Sequence, residues 1–155
     1  MKTGIKKATE VLNGLLLINN DRFEYYRRAS ERTRELVLKT IFSNVAVESK
    51  KNASALIREI TNSGNNSVGS RVTLRSWFYR FRMKVKTLLT GKDPKSILDS
   101  CVSGEDAAQI AYQDAISSNE LTMQARQLLR NQQLALKSFY DMIMAFRNSN
   151  PILNP

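Results

Sequence analysis

Two acidic residues, Glu48 and Glu105, fall on the inward stripes of predicted helices and are the residues best suited to metal chemistry. A di-iron site in a helical bundle takes a Glu from each of two helices and a Glu-x-x-His pair from each of the other two. The chain has no histidine, and Lys51 and Ala108 stand three residues after the two acids. We therefore expect no bound metal and no other cofactor. The alternative is a weak Ca²⁺, Mg²⁺ or Mn²⁺ site with oxygen ligands from Glu48 and Glu105.

Neutral amides occupy the corresponding positions of the other two long helices. Asn19 and Gln132 lie near the middle of their predicted helices, as the two acids do. Buried polar groups normally satisfy one another, so a hydrogen-bonded layer that fixes the helix register is favoured over a metal site. The predicted layer consists of Asn19, Glu48, Asn52, Glu105 and Gln132.

Residues that could support nucleophilic catalysis are scarce. Cys101, the only cysteine, falls on an inward stripe, where a buried and inert thiol is expected. Without histidine, Ser-His and Cys-His catalysis is excluded. The glycines are too sparse to form a loop that cradles phosphate. The sequence favours a protein that is not an enzyme.

The segment 71–86 interleaves cations with aromatic side chains, which could bind phosphates and stack on bases, or lie on an anionic surface. Residues 1–97 carry a net charge of +12 and residues 98–155 a net charge of −2, so an anionic partner is one interpretation. The helical spacing of the aromatic side chains favours docking on the rest of the protein. The candidate anion-binding residues are Arg71, Arg75, Arg80, Arg82, Lys84 and Lys86, and the candidate docking residues are Trp77, Phe78 and Phe81.

Apolar residues recur at steps of three and four along most of the chain, which predicts helices at about 4–31, 33–63, 70–90, 94–117 and 120–148. Thr33 and Asp93 are predicted caps, and Pro94 suits a first helical turn. Gly64 suits the left-handed conformation that ends a helix.

The lengths of the connections predict how the helices are arranged. The turns at 31–33 and 117–119 are so short that each must join antiparallel neighbours. Residues 65–93 are long enough to return the chain to the other end of the bundle, as a crossover. The predicted fold is all-α, a ferritin-like four-helix bundle with a shorter crossover helix. One domain is expected over 1–148, followed by a tail at 149–155.

Composition agrees with a folded domain outside the membrane. The chain has 155 residues, 42% of them hydrophobic, and a formal net charge of +10. Its apolar runs are about four residues long, whereas a membrane-spanning helix needs about 20 apolar residues. A single cysteine excludes an internal disulfide framework and agrees with a reducing compartment, so a cytoplasmic location is expected.

Several short stretches together resemble a bacterial family of small ferritin-like four-helix-bundle proteins known only as a domain of unknown function. The resemblance covers about residues 8–146 and rests on the stretches 12–16, 19–26, 47–49, 74–77, 86–91 and 104–108, together with Tyr112. It implies a ferritin-like bundle, no established activity and an accessory role in bacterial stress. One departure is Leu74, which stands where family members usually carry a histidine before an Arg-x-Trp stretch.

The resulting functional hypothesis is a non-enzymatic binding or accessory bundle, related to stress, that has lost a di-iron site. The first alternative is a weak metal-binding or oxidase-type protein using Glu48 and Glu105. The second is a nucleic-acid or anionic-surface binder using segment 71–86. A second copy of the chain is a further candidate partner.

Overall fold

The computed structural model describes residues 2–64 and 93–149, and this part of the chain is helical with no strand. Residues 2–64 and 93–149 form four helices, which agree with the predicted all-α, four-helix architecture: α1 (Lys2–Arg32), α2 (Leu36–Asn62), α3 (Pro94–Ile116) and α4 (Met123–Ser149). The predicted crossover helix and the candidate residues Arg71, Arg75, Arg80, Arg82, Lys84, Lys86, Trp77, Phe78 and Phe81 lie outside the described residues.

Local side-chain chemistry explains where the helices begin and end. Asp93 caps α3, because its carboxylate accepts a hydrogen bond from the Ser96 amide at 2.9 Å, and Pro94 follows in the first turn. Gly64 follows α2 with φ +83°, a conformation that costs glycine little. The predicted cap at Thr33 is wrong: α2 begins two residues later, with Glu35 as its cap. Thr33 instead accepts the Glu35 amide within the turn.

Contacts between side chains fix the directions of the helices. Asn19 and Arg22 of α1 contact Tyr112 and Glu105 of α3, so residue numbers rise along α1 as they fall along α3. These two helices are therefore antiparallel. Each hairpin, α1 with α2 and α3 with α4, is antiparallel as well, because the residue numbers of the bonded side chains rise along one helix as they fall along the other. It follows that α2 and α3 are parallel. The end of α2 and the start of α3 therefore lie at opposite ends of the bundle.

The interior is divided along the bundle axis. One hydrophobic cluster includes Leu15, Leu56, Ala111 and Leu129, and a second includes Phe42, Leu98 and Ile143. The helix turns between the two clusters carry buried polar side chains instead. The packing of the four helices holds this polar layer in place between the two hydrophobic clusters. Among the described residues, no helix combines the length and apolar character that crossing a membrane requires.

Candidate functional site

The polar layer draws side chains from all four helices, at the height where the two hydrophobic clusters meet. Its members are buried: Asn19, Arg22 and Tyr26 of α1, Ser49 and Asn52 of α2, Glu105 and Tyr112 of α3, and Gln132 of α4. Every member takes part in a hydrogen bond to another member. The layer therefore forms a network of two hydrogen-bonded groups and not a set of isolated polar groups.

An ion pair forms one half of the network. Arg22 approaches Glu105 Oε1 with Nη2 at 2.7 Å and Nε at 3.2 Å, and the two side chains are only 3% and 2% exposed. The Tyr26 hydroxyl donates to the same oxygen at 2.6 Å. Arg22 Nη1 donates to Ser49 Oγ at 2.9 Å, and the Ser49 hydroxyl donates a hydrogen bond to the Val45 carbonyl at 2.8 Å. The Arg22 charge is thus neutralised within the interior, and the Arg22 side chain links α1 to α2 and α3.

The second half of the network is uncharged. The Tyr112 hydroxyl donates to Gln132 Oε1 at 2.8 Å and accepts from Asn19 Nδ2 at 2.8 Å. Asn52 donates to Asn19 Oδ1 at 3.2 Å, and Gln132 Nε2 donates to the Asn52 carbonyl at 3.3 Å. Each side-chain amide can supply both a hydrogen-bond donor and an acceptor. These hydrogen bonds therefore connect all four helices without a charged group.

Burial and the ion pair set the protonation of these groups. Burial alone would lower the pKa of Arg22, but the Glu105 carboxylate and the nearby tyrosines outweigh it and raise the Arg22 pKa. Burial, reinforced by Glu105, raises the pKa of Tyr26 well above its ordinary value. Burial also raises the pKa of Tyr112 to about 12. At neutral pH both tyrosines are therefore hydroxyl donors, as the network requires.

Cys101 lies one helical turn before Glu105 in α3. Its Sγ is 3.6 Å from the Tyr25 hydroxyl, and the thiol is buried. Burial raises the pKa of Cys101 to about 12. Since the thiolate is the nucleophilic form, this thiol is chemically inert in the folded protein near neutral pH.

The structure places the sequence-derived candidates in two groups. Asn19, Asn52, Glu105 and Gln132 are buried members of the network. Glu48 is only half-buried and lies on a groove between α2 and α4, so its predicted burial is wrong. The next residue, Ser49, takes the inward position because it lies one helical turn beyond the buried Val45 and one turn before the buried Ala53.

Sequence reasoning missed Arg22, Tyr26 and Tyr112 as partners in the network. In α1 the apolar Phe23 is half-buried beside Lys50, and its neighbour Arg22 is the inward residue. Steps of three and four from Asn19 reach Arg22 and then Tyr26, so periodicity gave the signal. Arginine side chains are mostly exposed in proteins, however, and this general tendency argues against a buried Arg22.

The donor set of the layer does not fit a di-iron centre. Glu105 Oε1 already receives hydrogen bonds from Arg22 and Tyr26, and the guanidinium beside it would repel a metal cation. In residues 2–64 and 93–149 no group of three or more His, Cys, Asp or Glu side chains is placed to hold a metal ion. Glu105 Oε2 is a buried acceptor for which the described protein atoms supply no donor.

Comparison with known proteins places the chain in a family. No curated protein matches it. The family model described as Domain of unknown function (DUF2383) matches residues 7–118, which is 112 of the 155 residues and includes the network members of α1, α2 and α3. The chain therefore belongs to the DUF2383 family.

Proposed function

We propose that this chain is a non-enzymatic, ferritin-like helical bundle with a binding or accessory role, in which an arginine takes the central position of a lost metal site. The observation that carries the proposal is the buried Arg22–Glu105 pair. A metal ion in such a bundle is a cation that ties facing helices together through acidic ligands. Arg22 is likewise a cation that ties α1 to Glu105 of α3 and Ser49 of α2.

Chemistry at the layer supports the non-enzymatic part of this proposal. The side chains with reactive potential, Cys101, Tyr26 and Tyr112, are buried, and burial holds each of them in its protonated form. A substrate would have to displace core side chains to reach them. The accessory role in stress rests on the sequence resemblance alone, and the ferritin-like assignment on that resemblance and on the arrangement of the two hairpins.

The alternative carboxylate site at Glu48 and Glu105 is not favoured. Glu105 is bonded to a guanidinium in the interior, whereas Glu48 faces the groove between α2 and α4. A cation held by both carboxylates would have to compete with Arg22, whose three helix-bridging hydrogen bonds are already formed.

The proposal predicts that the protein neither carries nor gains a structural metal. After expression in iron-rich medium, elemental analysis should find iron well below one atom per chain. Adding Fe²⁺, Mn²⁺ or Ca²⁺ in excess should leave the melting temperature unchanged, because a ligand that binds only the folded state must raise it.

Two irons per chain, detected by native mass spectrometry, would overturn the proposal. A metal-dependent rise in melting temperature that disappears in the double variant Glu48→Ala with Glu105→Ala would instead establish the carboxylate alternative.

A further inference from the structure

The outer face that α2 and α4 form together carries few charges. A groove of about 230 Å³ runs along it, and Ala135, Ser138 and Met142 of α4 line this groove. The residues of α4 on this face follow from them at steps of three and four, and none of them is charged: Gln124, Gln127, Asn131, Leu134, Ala135, Ser138, Met142 and Ala145. Leu134 is 67% exposed and Met142 is 48% exposed. Exposed apolar side chains with few charges among them are typical of the centre of a protein–protein interface.

The charged side chains of α4 lie on the side that is turned towards α3. Gln133 and Tyr140 mark that side, because both are hydrogen-bonded to side chains of α3. Arg130 and Lys137 precede these two residues by three positions each, and Asp141 is bonded to Lys137 at 2.9 Å. The other two cations of α4 bond directly to α3: Arg126 and Arg147. The uncharged stripe of α4 is therefore a property of the α2–α4 face.

The α2 helix contributes one acid and one base to this face. Glu48 lines the groove, and Lys51 follows three residues later, at the boundary with the groove between α1 and α2. Neither side chain forms an ion pair with another residue in 2–64 or 93–149. The face thus presents two opposite charges that are both available to a partner.

The other charges of α2 point away from this face. Lys50 is directed towards α1, where Glu24 lies near it, and Lys39 lies three helical turns before Lys50 on the same side. Arg58 lines the groove between α1 and α2, and Glu59 lines a pocket beside the start of α4. The α2–α4 face is therefore balanced in charge.

A second copy of this chain is complementary to the uncharged stripe of α4. A twofold axis places a face against an identical face, so each residue meets one that lies equally far beyond the axis. An axis that crosses α4 beside Ala135, perpendicular to the helix, places Asn131 of one copy opposite Ser138 of the other. It also places Leu128 opposite Met142. Polar side chains then meet polar ones, and apolar side chains meet apolar ones.

The same axis makes α2 complementary to itself. Gln132 of α4 is bonded to Asn52 of α2, and the two helices are antiparallel, so Ala135 lies at the height of residues 48 and 49. That height is about one residue, or about 1.5 Å, from the midpoint between Glu48 and Lys51. Glu48 of each copy therefore faces Lys51 of the other copy, and two ion pairs form across the axis. The pairing in α4 and the pairing in α2 independently require an axis at nearly the same height.

We propose that the α2–α4 face binds a second copy of this chain in an antiparallel, twofold-symmetric dimer. Both helices have 27 residues, so the face is about 40 Å long, and two adjacent helices are about 20 Å wide. The face therefore offers about 800 Å² per copy, which is the area that a stable complex of standard size buries on each partner. The dimer concerns a different surface from the buried layer and does not depend on the metal result.

Sedimentation velocity of the full chain over a range of concentrations tests the dimer. We expect a species of twice the chain mass of 17.6 kDa. Leu134→Arg should raise the dissociation constant by about tenfold or more, because it brings two like charges together beside the axis. Ile110→Arg is the matched control, since Ile110 is also an exposed apolar residue but belongs to α3, at the corner of the bundle diagonal to α2. This control should leave the dissociation constant unchanged.

A mixing experiment tests the twofold pairing of charges. Glu48→Lys alone and Lys51→Glu alone should each weaken self-association, because like charges then face each other across the axis. An equimolar mixture of the two variants should dimerise as tightly as the wild type, since every pair in the mixed dimer is again of opposite charge. An ion pair within one chain cannot produce this recovery.

Three results would overturn the proposal. The first is a wild-type chain that remains monomeric at high micromolar concentration. The second is a dimer that Leu134→Arg and Ile110→Arg weaken equally. The third is a mixture of the two charge variants that self-associates no more tightly than either variant alone. Circular dichroism melting of each variant should show the helical signal of the wild type, so that a loss of association reports on the face and not on unfolding.

Discussion

Arg22 and Glu105 carry two opposite unit charges that are almost completely removed from water. Burying either charge alone would cost several kcal/mol, and the mutual attraction, together with the bonds from Tyr26 and Ser49, offsets that cost. Such a pair contributes less net stability than its short distances suggest, because both charges were well solvated in the unfolded chain. Its effect on stability should therefore depend strongly on whether one partner or both are removed.

A double-mutant cycle measures that dependence. Arg22→Met should lower the free energy of unfolding by about 3–5 kcal/mol, since it leaves the Glu105 charge buried and unpaired. Glu105→Leu should do the same by leaving Arg22 unpaired. The double variant should lose less than either single variant. Its remaining cost should be about 1–3 kcal/mol, from the Tyr26 hydroxyl that is left without an acceptor.

Urea denaturation provides the measurement, with Arg27→Met as the control. Arg27 forms its ion pairs with Glu24 and Glu31 on the exposed face of α1, so its removal should change the midpoint little. Losses in the two single variants that simply add in the double variant would show that the pair is not coupled.

At the scale of elements, the sequence predicted the helices well because their signals are local. Asp93, Pro94 and Gly64 act on the backbone of their own turn, so the local sequence is sufficient to predict the helix ends that they form. The start of α2 was less predictable, because Thr33 and Glu35 both offer an oxygen to nearby amides. Leu38 and Phe42, in the first two turns of α2, are buried, so tertiary packing also contributes to where α2 begins.

Which face of each helix turns inward was predictable only to within one residue. In α2 the predicted inward residue is Glu48, but the structure buries Ser49. In α1 it buries Arg22 more deeply than the apolar neighbour Phe23. In both helices the apolar stripe is interrupted where a polar residue is buried, so hydrophobicity gives no signal at these positions. The partners were recognisable only after α1 and α3 had been placed side by side, since Arg22 needs Glu105 to be buried.

At the scale of the whole molecule, alkaline pH should weaken the fold. Cys101 and Tyr112 have pKa values raised to about 12 from ordinary values of 9.0 and 10.0. The folded state thus holds these protons more tightly than the unfolded state does. The stabilisation is complete below about pH 9 and is lost progressively as the pH rises towards 12.

Urea denaturation between pH 8 and pH 11 tests this, with the double variant Cys101→Ala with Tyr112→Phe for comparison. The variant is expected to be less stable at pH 8 but to lose less stability per pH unit above pH 9. Parallel profiles for the two proteins would show that other groups cause the alkaline loss.

The polar layer also has a consequence for the order of folding. Arg22 and Glu105 are 83 residues apart, whereas α1 and α2 are joined by a turn of three residues, 33–35. Closing the longer loop costs more chain entropy, so each hairpin should form before the two hairpins dock and the ion pair is made. Interactions that form late mainly slow unfolding. In stopped-flow experiments, Arg22→Met should therefore accelerate unfolding and leave the refolding rate almost unchanged. If the substitution mainly slowed refolding instead, the ion pair would belong to the folding nucleus. The contacts of the central arginine would then form last during folding and break first during unfolding, so they would mainly set the lifetime of the folded state.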